Sequence, residues 1–412
     1  MSATPHRPET LLVTLTGQDR PGVTATLFGA MVGSGVEVLD IEQIILRQRL
    51  ILGVLLTTPG GPGDPAATDD LVATLERVAA ELGMSIEVQR GTGDNFTRGE
   101  GRSHVTLIGQ PLAASAMAAV AGRIAEIGGN IDRIERMARY PVTAIDLHVS
   151  GADPDDLRAR LAPTAAENGV DLAVQPASLL RRGMRLIVMD VDSTLIQGEV
   201  IEMLAAHAGV EPQVAEITER AMRGELDFEA SLRERVRMLA GLPASVLDEV
   251  YDQIVVTPGA RTMVRTLRRL GYRFAIVSGG FSQITDRLAA DLGIHFARAN
   301  ELEIVDGVIT GAIVGEVVDR AGKARALREF AEAVGVSQAA TVAIGDGAND
   351  LDMLNAAGLG IAYNARPVVQ AAADTAVNVP YLDTIVYLLG ISREEVEAAD
   401  AEAGIVTPAP PI

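Results

Sequence analysis

Two aspartates, Asp190 and Asp192, directly follow a short apolar run, and their type and spacing could support chemistry. The run Leu186–Met189 is typical of a buried strand, so both carboxylates are predicted where that strand leaves its sheet. In open α/β sheets, ligands bind at this carboxyl edge. Two carboxylates there repel each other and lose solvation. Their presence therefore suggests that they bind a cation or take part in a reaction. For this segment alone, an ordinary strand-to-helix turn with Ser193 as the N-cap is the alternative.

A second predicted strand end carries groups that suit a phosphate. Residues 275–277 form an apolar run that ends in Ser278, Gly279 and Gly280. Glycines after a strand let backbone N–H groups approach a phosphate, and the serine hydroxyl adds another donor. By itself, Ser-Gly-Gly is usually part of an ordinary turn.

A third strand end and one lysine complete the candidate site. Residues 342–344 lead into a loop that contains Asp346, Asn349 and Asp350. Lys323 lies near the start of a predicted helix and could reach the same edge. Each signal is weak alone, but the order of these features and their shared edge are difficult to attribute to chance. Together they predict one phosphate-handling site.

Alternating strands and helices are predicted around this site. The strands fall at residues 273–277, 295–300, 341–344 and 359–362, and the helices at 260–270, 282–292 and 322–334. Such alternation indicates an α/β domain with a parallel sheet that helices cover on both faces. Only helical patterns occur between residues 194 and 257, which predicts a helical cap inserted above the sheet edge.

The first half of the chain contains two similar modules. Each is predicted to follow the order β-α-β-β-α-β, the ferredoxin-like α+β plan. Residues 105–109 repeat residues 13–17 in four of five positions. A repeat of this length indicates duplicated domains. We expect the small domains at 8–92 and 102–178, the α/β domain at 184–395 with its cap at about 198–256, and a C-terminal tail at 396–412.

Composition restricts the classes of function. The 412 residues carry a formal net charge of −20, which argues against a nucleic-acid surface, and no cysteine, which excludes disulfides and thiolate metal sites. The five histidines show no metal-ligand spacing. Neither a signal peptide nor a membrane-spanning run is evident. We expect a soluble, cytoplasmic protein with no membrane partner.

Residues 184–390 resemble the haloacid-dehalogenase (HAD) superfamily of phosphatases. Its members carry Asp-x-Asp-x-Thr, then Ser or Thr, then Lys, then Gly-Asp-x-x-x-Asp. All four motifs are present, and the resemblance is closer still to the family of phosphoserine phosphatases, through Ser278 to Phe281 and the stretch from Met222 to Arg235. The one departure in the first motif is Val191 where Phe is common, an apolar exchange that leaves the chemistry unchanged.

The resemblance implies an Mg²⁺-dependent phosphomonoester hydrolase. A phosphate monoester repels nucleophiles, so the site must neutralise it and hold the attack in line. Asp190 would be the nucleophile and Asp192 the general acid and base. Mg²⁺ would be bound by Asp190, Asp346 and the backbone carbonyl at Asp192, while Asp350 orients a metal water or Lys323. Lys323 and Ser278 complete the implied catalytic set.

The resemblance also implies a set of contacts to phosphoserine. Arg235 by itself is equally consistent with a charged helix surface, because arginines stand at 233, 235 and 237. The family pattern implies substrate contacts from Ser278, Gly279, Lys323 and Asn349 around the phosphate, Glu199 for the ammonium, Arg235 for the carboxylate, and Met222 and Phe228 as an apolar lid.

The two N-terminal modules, about residues 10–175, resemble ACT domains. These are small ferredoxin-like units that bind amino acids and often pair into shared sheets. The best local marker is the turn from Asp19 to Gly22, although by itself this tetrapeptide could equally be an ordinary turn that opens a helix. The corresponding stretch of the second module lacks both the Asp and the Gly. The resemblance therefore implies an effector such as serine at the first module, near Asp19 and Gly22, and a homodimer.

Two other functions stay open at this level. The chain could be a HAD phosphatase or phosphotransferase that acts on another small phosphomonoester. It could also be an amino-acid-sensing regulatory protein with an inert phosphatase domain. The complete set of motif residues argues against the second possibility, because a decayed enzyme would be expected to have lost at least one of them.

Overall fold

The computed structural model of the chain describes residues 9–59, 64–93, 101–183, 185–222 and 227–408, except the side chains of residues 180, 182, 219, 221 and 222. Its internal contacts divide the chain into two compact units, residues 1–98 and 99–412. In the described residues, no helix is both long enough and apolar enough to cross a membrane.

The first unit is a four-stranded antiparallel sheet with two helices, in the order β2-β3-β1-β4. Alternate residues of β1, namely Leu11, Val13 and Leu15, are fully buried in its core. Successive strand side chains point to opposite faces, so this alternation places one face of the sheet against the helices. Its elements are β1 (Glu9–Gln18), α1 (Val23–Gly29), β2 (Val38–Leu46), β3 (Arg49–Thr57), α2 (Pro65–Glu81) and β4 (Ser85–Thr92).

The second unit begins with another domain of the same plan, whose strand order β6-β7-β5-β8 repeats that of the first unit. Its helices pack on one face of the sheet, around Leu107, Val120 and Leu157. The predicted pair of ferredoxin-like domains is confirmed. The elements are β5 (Ser103–Gly109), α3 (Ala114–Glu126), β6 (Asn130–Ala138), β7 (Thr143–Ser150), α4 (Pro154–Glu167) and β8 (Asp171–Pro176).

The α/β domain of the second unit has a seven-stranded sheet in the order β14-β13-β12-β9-β15-β16-β17. Strand β9 is central. Its Ile187 and Met189 enter one hydrophobic core, and its Leu186 and Val188 enter the core on the other face. Burial on both faces explains why this strand is a continuous apolar run. The predicted α/β fold class is confirmed.

The remaining elements alternate around this sheet. They are α5 (Leu179–Gly183), β9 (Leu186–Met189), α10 (Ala260–Arg269), β12 (Arg273–Phe281), α11 (Ser282–Leu292), β13 (Phe296–Val305), β14 (Val308–Val314), α12 (Arg320–Val334), β15 (Thr341–Gly345), α13 (Leu351–Ala356), β16 (Leu359–Tyr363), α14 (Pro367–Gln370), β17 (Thr375–Val377), α15 (Ile385–Leu388) and α16 (Arg393–Glu402). Strand β14 is antiparallel to β13, so the sheet is not purely parallel as the alternation predicted.

The cap lies between β9 and α10. Its described residues form the helices α6 (Val200–Ala208), α7 (Glu211–Met222), α8 (Phe228–Arg237) and α9 (Val246–Gln253). The expectation of helices alone was wrong, because two short strands, β10 (Ile196–Gln197) and β11 (Val255–Val256), pair antiparallel where the chain leaves and re-enters the α/β domain. Two-residue strands are too short for an alternating pattern to reveal.

The second ferredoxin-like domain shares a hydrophobic core with the α/β domain. Two buried side chains link them, since Gln175 Nε2 and Arg181 Nε both donate to Leu388 O, at 2.8 and 3.1 Å. Arg181 also pairs with Asp146 at 3.0 Å. A predicted boundary between 178 and 184 therefore separates two parts that pack as one unit.

The predicted tail at residues 396–412 begins inside helix α16. Asp400 of this helix is fully buried and lies 2.6 Å from Arg269 Nη1, while Arg265 Nε donates to it at 2.9 Å. Burial disfavours its charge, but hydrogen bonds from Arg265, Thr407 and Arg269 lower the pKa of Asp400 to about 2. The helix thus belongs to the packed α/β domain.

Candidate active site

The parallel register of three strands brings the candidate residues together. Met189 of β9 lies opposite Ile276 of β12 and Ile344 of β15. The residues just beyond these three paired positions therefore lie side by side at the carboxyl edge of the sheet. This is where Asp190, Ser278 and Asp346 stand.

A buried lysine connects two of the carboxylates. Lys323 Nζ lies 2.7 Å from Asp190 Oδ1 and 2.7 Å from Asp350 Oδ1. Burial opposes its charge, but the two carboxylates together raise the pKa of Lys323 above its usual value. Burial and the negative charge of Asp350 raise the pKa of Asp190, and Lys323 opposes that rise. Lys323 is thus a fixed cation beside Asp190.

Asp192 is held between the cap and the loop after Val277. Its Oδ1 accepts from Val200 N at 2.8 Å, and its Oδ2 accepts from Ser278 Oγ at 2.9 Å. Burial raises the pKa of Asp192, and these two hydrogen bonds limit the rise. A carboxyl group whose pKa is raised can carry and deliver a proton nearer neutral pH than an ordinary aspartate.

A third carboxylate, Asp346, faces the same edge. Thr194 Oγ1 donates to Asp346 Oδ1 at 3.1 Å, and burial together with the charge of Asp350 raises the pKa of Asp346 to about 6. Carboxylate oxygens of Asp190, Asp346 and Asp350 all lie within 4.8 Å of one another. This oxygen-rich set, whose members disfavour one another's charge, fits a hard divalent cation such as Mg²⁺.

The cap contributes the other wall of one pocket. Phe228 and Arg235 lie on the same face of α8, and an ideal Cβ on Gly279 would come within 3.0 Å of Phe228 Cζ. Glu199 accepts from Ser193 Oγ at 3.1 Å, while burial and Asp192 raise the pKa of Glu199 to about 7. The pocket is lined by Asp190, Asp192, Glu199, Ile201, Phe228, Leu232, Arg235, Gly279, Gly280, Asp346 and Asn349.

Most residues predicted from the motifs therefore meet in or directly behind this pocket. Ser278, Lys323 and Asp350 are buried behind it and contact its carboxylates. The side chain of Met222 lies outside the described residues. Asp19 and Gly22 belong to the first unit, where Gly22 precedes α1 with a φ of 95°.

Two apolar residues of the pocket, Ile201 and Leu232, were missed by the motif reasoning. Leu232 lies four residues after Phe228 and three before Arg235, so helical spacing could have indicated it. The hydrogen bonds from Thr194 to Asp346 and from Val200 to Asp192 join residues across the fold or across a turn. No spacing rule reveals these two bonds in advance.

Fold and site together define a hydrolase domain preceded by two ferredoxin-like domains, and family comparisons agree. Residues 184–358 match the haloacid dehalogenase-like hydrolase family. Residues 9–89 and 102–175 each match an ACT domain.

Full-length relatives narrow the family. The chain is 60% identical to the phosphoserine phosphatase of Streptomyces coelicolor over 96% of this chain and 95% of the relative. It is 51% identical to a phosphoserine phosphatase of Mycobacterium tuberculosis, over 95% of each. A crystal structure of a probable phosphoserine phosphatase from Vibrio cholerae, in unliganded form, superposes with a TM-score of 0.57 and 35% identity, over 73% of this chain and 88% of that one. The chain belongs to the phosphoserine phosphatase family of haloacid dehalogenase-like phosphomonoester hydrolases, with two ACT domains.

The carboxylate cluster predicts how stability responds to Mg²⁺. Asp346→Asn should raise the unfolding temperature measured in EDTA, because it removes a carboxylate that burial and Asp350 disfavour. A pKa raised from 3.8 to about 6 corresponds to about 3 kcal/mol at most. This gain should be full above about pH 6 and should shrink as the pH falls. It should vanish only below pH 3.8, the unfolded pKa, where the wild-type carboxyl is protonated in both folded and unfolded chains.

Mg²⁺ should raise the unfolding temperature of the wild type and have much less effect on Asp346→Asn. Asp352→Asn is a matched control, because Asp352 lies six residues further along the chain, on helix α13, and pairs with Arg320 at the surface. It should keep the Mg²⁺ response. An Asp346→Asn chain that is less stable in EDTA, or that responds to Mg²⁺ as the wild type does, would contradict the assignment.

Proposed function

We propose that this chain is an Mg²⁺-dependent phosphoserine phosphatase, which hydrolyses O-phospho-L-serine to L-serine and phosphate in the last step of serine biosynthesis. One observation carries the proposal. The same pocket is lined by the carboxylates of Asp190 and Asp192 at the sheet edge and by Glu199 and Arg235 of the cap. The names of the full-length relatives support the same substrate.

The substrate has three charged groups, and the residues in and directly behind the pocket offer a partner for each. Lys323 and Ser278, with the Gly279 amide and Asn349, would surround the phosphate. Glu199 would accept from the ammonium. The positive charge of this ammonium would stabilise the ionised form of Glu199, which burial disfavours.

Arg235 would bind the substrate carboxylate. Its Nε donates to Ser231 O at 3.4 Å, which ties the guanidinium to its own helix. Burial lowers its pKa, while the negative charges of Glu199, Glu202 and Asp192 act in the opposite direction. A planar guanidinium can bind a carboxylate through two parallel hydrogen bonds, so it would select substrates that carry one. Phe228 would shield the reacting groups from water.

The reaction would proceed in two displacements at phosphorus. Asp190 attacks the phosphorus and the ester P–O bond breaks, while Asp192 gives its proton to the departing serine oxygen. Asp192 then takes a proton from water, whose oxygen attacks the aspartyl-phosphate. Phosphate leaves and Asp190 is regenerated. Lys323 holds Asp190 in place and offsets negative charge throughout.

The carboxylates of Asp190 and Asp346, with the backbone carbonyl of Asp192, would hold Mg²⁺. When bound, the ion supplies positive charge next to the phosphate oxygens. Asp350 has a different part in this proposal. Its Oδ1 is engaged with Lys323, and its Oδ2 accepts from Gly347 N at 3.0 Å, so it orients the lysine and the loop.

Asp190→Asn should abolish turnover. The amide is a very poor nucleophile, so phosphate release from phosphoserine should fall at least about a thousandfold. Phosphate release by the wild type, measured with phosphoserine, phosphothreonine and phosphohomoserine, should be highest with phosphoserine. Persistent turnover in Asp190→Asn would refute the nucleophile, and equal rates across the three substrates would refute the substrate.

Arg235→Lys should raise the KM for phosphoserine about ten- to a hundredfold, because a lysine cannot form the paired hydrogen bonds to a carboxylate. Phosphoethanolamine lacks the carboxylate, so its kcat/KM should hardly change. Arg233→Lys is the matched control, since Arg233 lies on the same helix and pairs with Glu229. Equal losses on both substrates would remove Arg235 from carboxylate recognition.

We further propose that an amino acid such as serine binds at the first ACT domain, near Asp19 and Gly22, and that the chain is a homodimer. The family match supports the first statement. The second is supported by edge strand β2, which exposes Ile41, Ile44 and Leu46. Such an edge can pair with another chain.

Calorimetric titration of the full chain with serine should show binding that Asp19→Asn weakens and Asp70→Asn does not. Asp70 is exposed on α2 and serves as the control. Sedimentation of the wild type should give the mass of a dimer. Absence of heat with serine, glycine and other amino acids would refute the effector role, and a monomer mass would refute the dimer.

A further inference from the structure

We infer that Asn300 is a positioning residue of this active site, which holds the Ser278–Gly280 loop in register with the start of helix α12. The inference rests on the proposed function, because it assigns Asn300 a role through groups placed there at the phosphate. Asn300 belongs to none of the motifs that identify the family.

Asn300 joins two segments that the sheet leaves unconnected. Its side chain, in β13, is buried with 1% exposure. Its Nδ2 donates to Gly279 O at 2.7 Å, and its Oδ1 accepts from Val318 N at 2.8 Å. One planar amide thus links the Ser278–Gly280 loop, an irregular stretch within β12, to the residues that lead into α12.

The first of these bonds replaces a missing sheet contact. The ladder between β12 and β13 is regular up to Val277, paired with Arg298, and resumes only at Phe281, paired with Asn300 itself. Between them the backbone leaves the ladder to line the pocket. The partly buried Gly279 carbonyl loses its ladder partner there, and the Asn300 amide supplies another donor to it.

Fixing the Gly279 carbonyl also fixes the next N–H, because both belong to one planar peptide. Gly280 N donates to Ser278 Oγ at 2.7 Å, and Ser278 Oγ donates to Asp192 Oδ2 at 2.9 Å. A Cβ on Gly280 would lie 2.9 Å from both oxygens, so only glycine fits there.

The hydrogen bonds therefore run in one direction. Val318 N donates to Asn300, Asn300 donates to the Gly279 carbonyl, the Gly280 N–H donates to Ser278, and Ser278 donates to Asp192. Bonds aligned in this way polarise one another. Asn300 is the side chain that connects the backbone before α12 to this series.

The second bond places the lysine helix. Val318 immediately precedes Asp319, the N-cap of α12, whose Oδ1 accepts from Gly322 N at 2.6 Å. Lys323 follows in the first turn of that helix. By binding Val318 N and Gly279 O at once, Asn300 sets the distance between the two elements that would hold the phosphate, the Ser278–Gly280 loop and Lys323.

Asn300→Asp tests this role, because it keeps the size of the side chain and the acceptor for Val318 N but removes the donor to Gly279 O. We expect the inhibition constant of inorganic phosphate to rise, and kcat to fall, each about ten- to a hundredfold, as for one buried hydrogen bond left unmade. If this chain does not fold, Asn300→Ser, which cannot span both partners, should show the same pattern.

Gln175→Glu is the matched control. Gln175 is also a buried amide that donates to a backbone carbonyl, that of Leu388, but it lies in β8 at the contact between domains. The substitutions at Asn300 and at Gln175 should all lower the unfolding temperature. Only those at Asn300 should weaken the binding of phosphate, whereas Gln175→Glu should keep kcat and the phosphate inhibition constant within about twofold of the wild type.

Two results would overturn the inference. One is an Asn300→Asp chain whose phosphate inhibition constant stays within twofold of the wild type. The other is an equal loss in Gln175→Glu, which would mean that activity follows stability alone. Inorganic phosphate is the common product of any monoester, so a wild type that prefers another substrate would refute only the substrate proposal. A wild type that neither hydrolyses monoesters nor binds phosphate would refute both.

Discussion

The buried ammonium of Lys323, between Asp190 and Asp350, is the interaction on which the rest of the site depends. A buried charge is tolerated only where partners surround it, and removing one partner leaves the others uncompensated. The central position of β9 makes this arrangement possible, because its neighbours β12 and β15 bring their own polar ends to the same edge. Helix α12 then delivers the lysine from the adjacent layer.

This local cation resolves an electrostatic difficulty. The chain carries a net charge of −20, so its overall field repels a phosphorylated substrate. Attraction must come from groups at the site itself. Among the residues that the structure describes, Lys323 below the pocket and Arg235 in the cap supply positive charge there. Both are largely removed from water, and a charge acts more strongly in such an environment than in water.

The two ACT domains differ in how they relate to the catalytic domain. The first forms a unit of its own, whereas the second shares a hydrophobic core and the buried contacts of Gln175 and Arg181 with the α/β domain. Separating the second domain would expose that core. The second ACT domain thus contributes to the stability of the catalytic unit, and the second copy of the repeat also lacks the Asp19–Gly22 turn.

The amino-acid sequence by itself predicted the residues of the candidate site and the order of the domains. Asp190, Ser278 and Asp346 could be identified because each lies within two residues of the end of an apolar run, and the ends of neighbouring parallel strands must meet. The repeat of residues 13–17 at 105–109 likewise revealed the duplicated domain. These signals are local, so spacing along the chain preserves them.

Only the tertiary structure decided the contacts that depend on how layers pack. Asn300 reads as an ordinary strand residue, and its two partners lie 21 and 18 positions away in segments that meet only when the sheet is complete. The antiparallel strand β14, the burial of Asp400 and the union of the second ACT domain with the α/β domain are of the same kind. Each is set by burial and hydrogen bonding between residues distant in sequence, for which no local pattern exists.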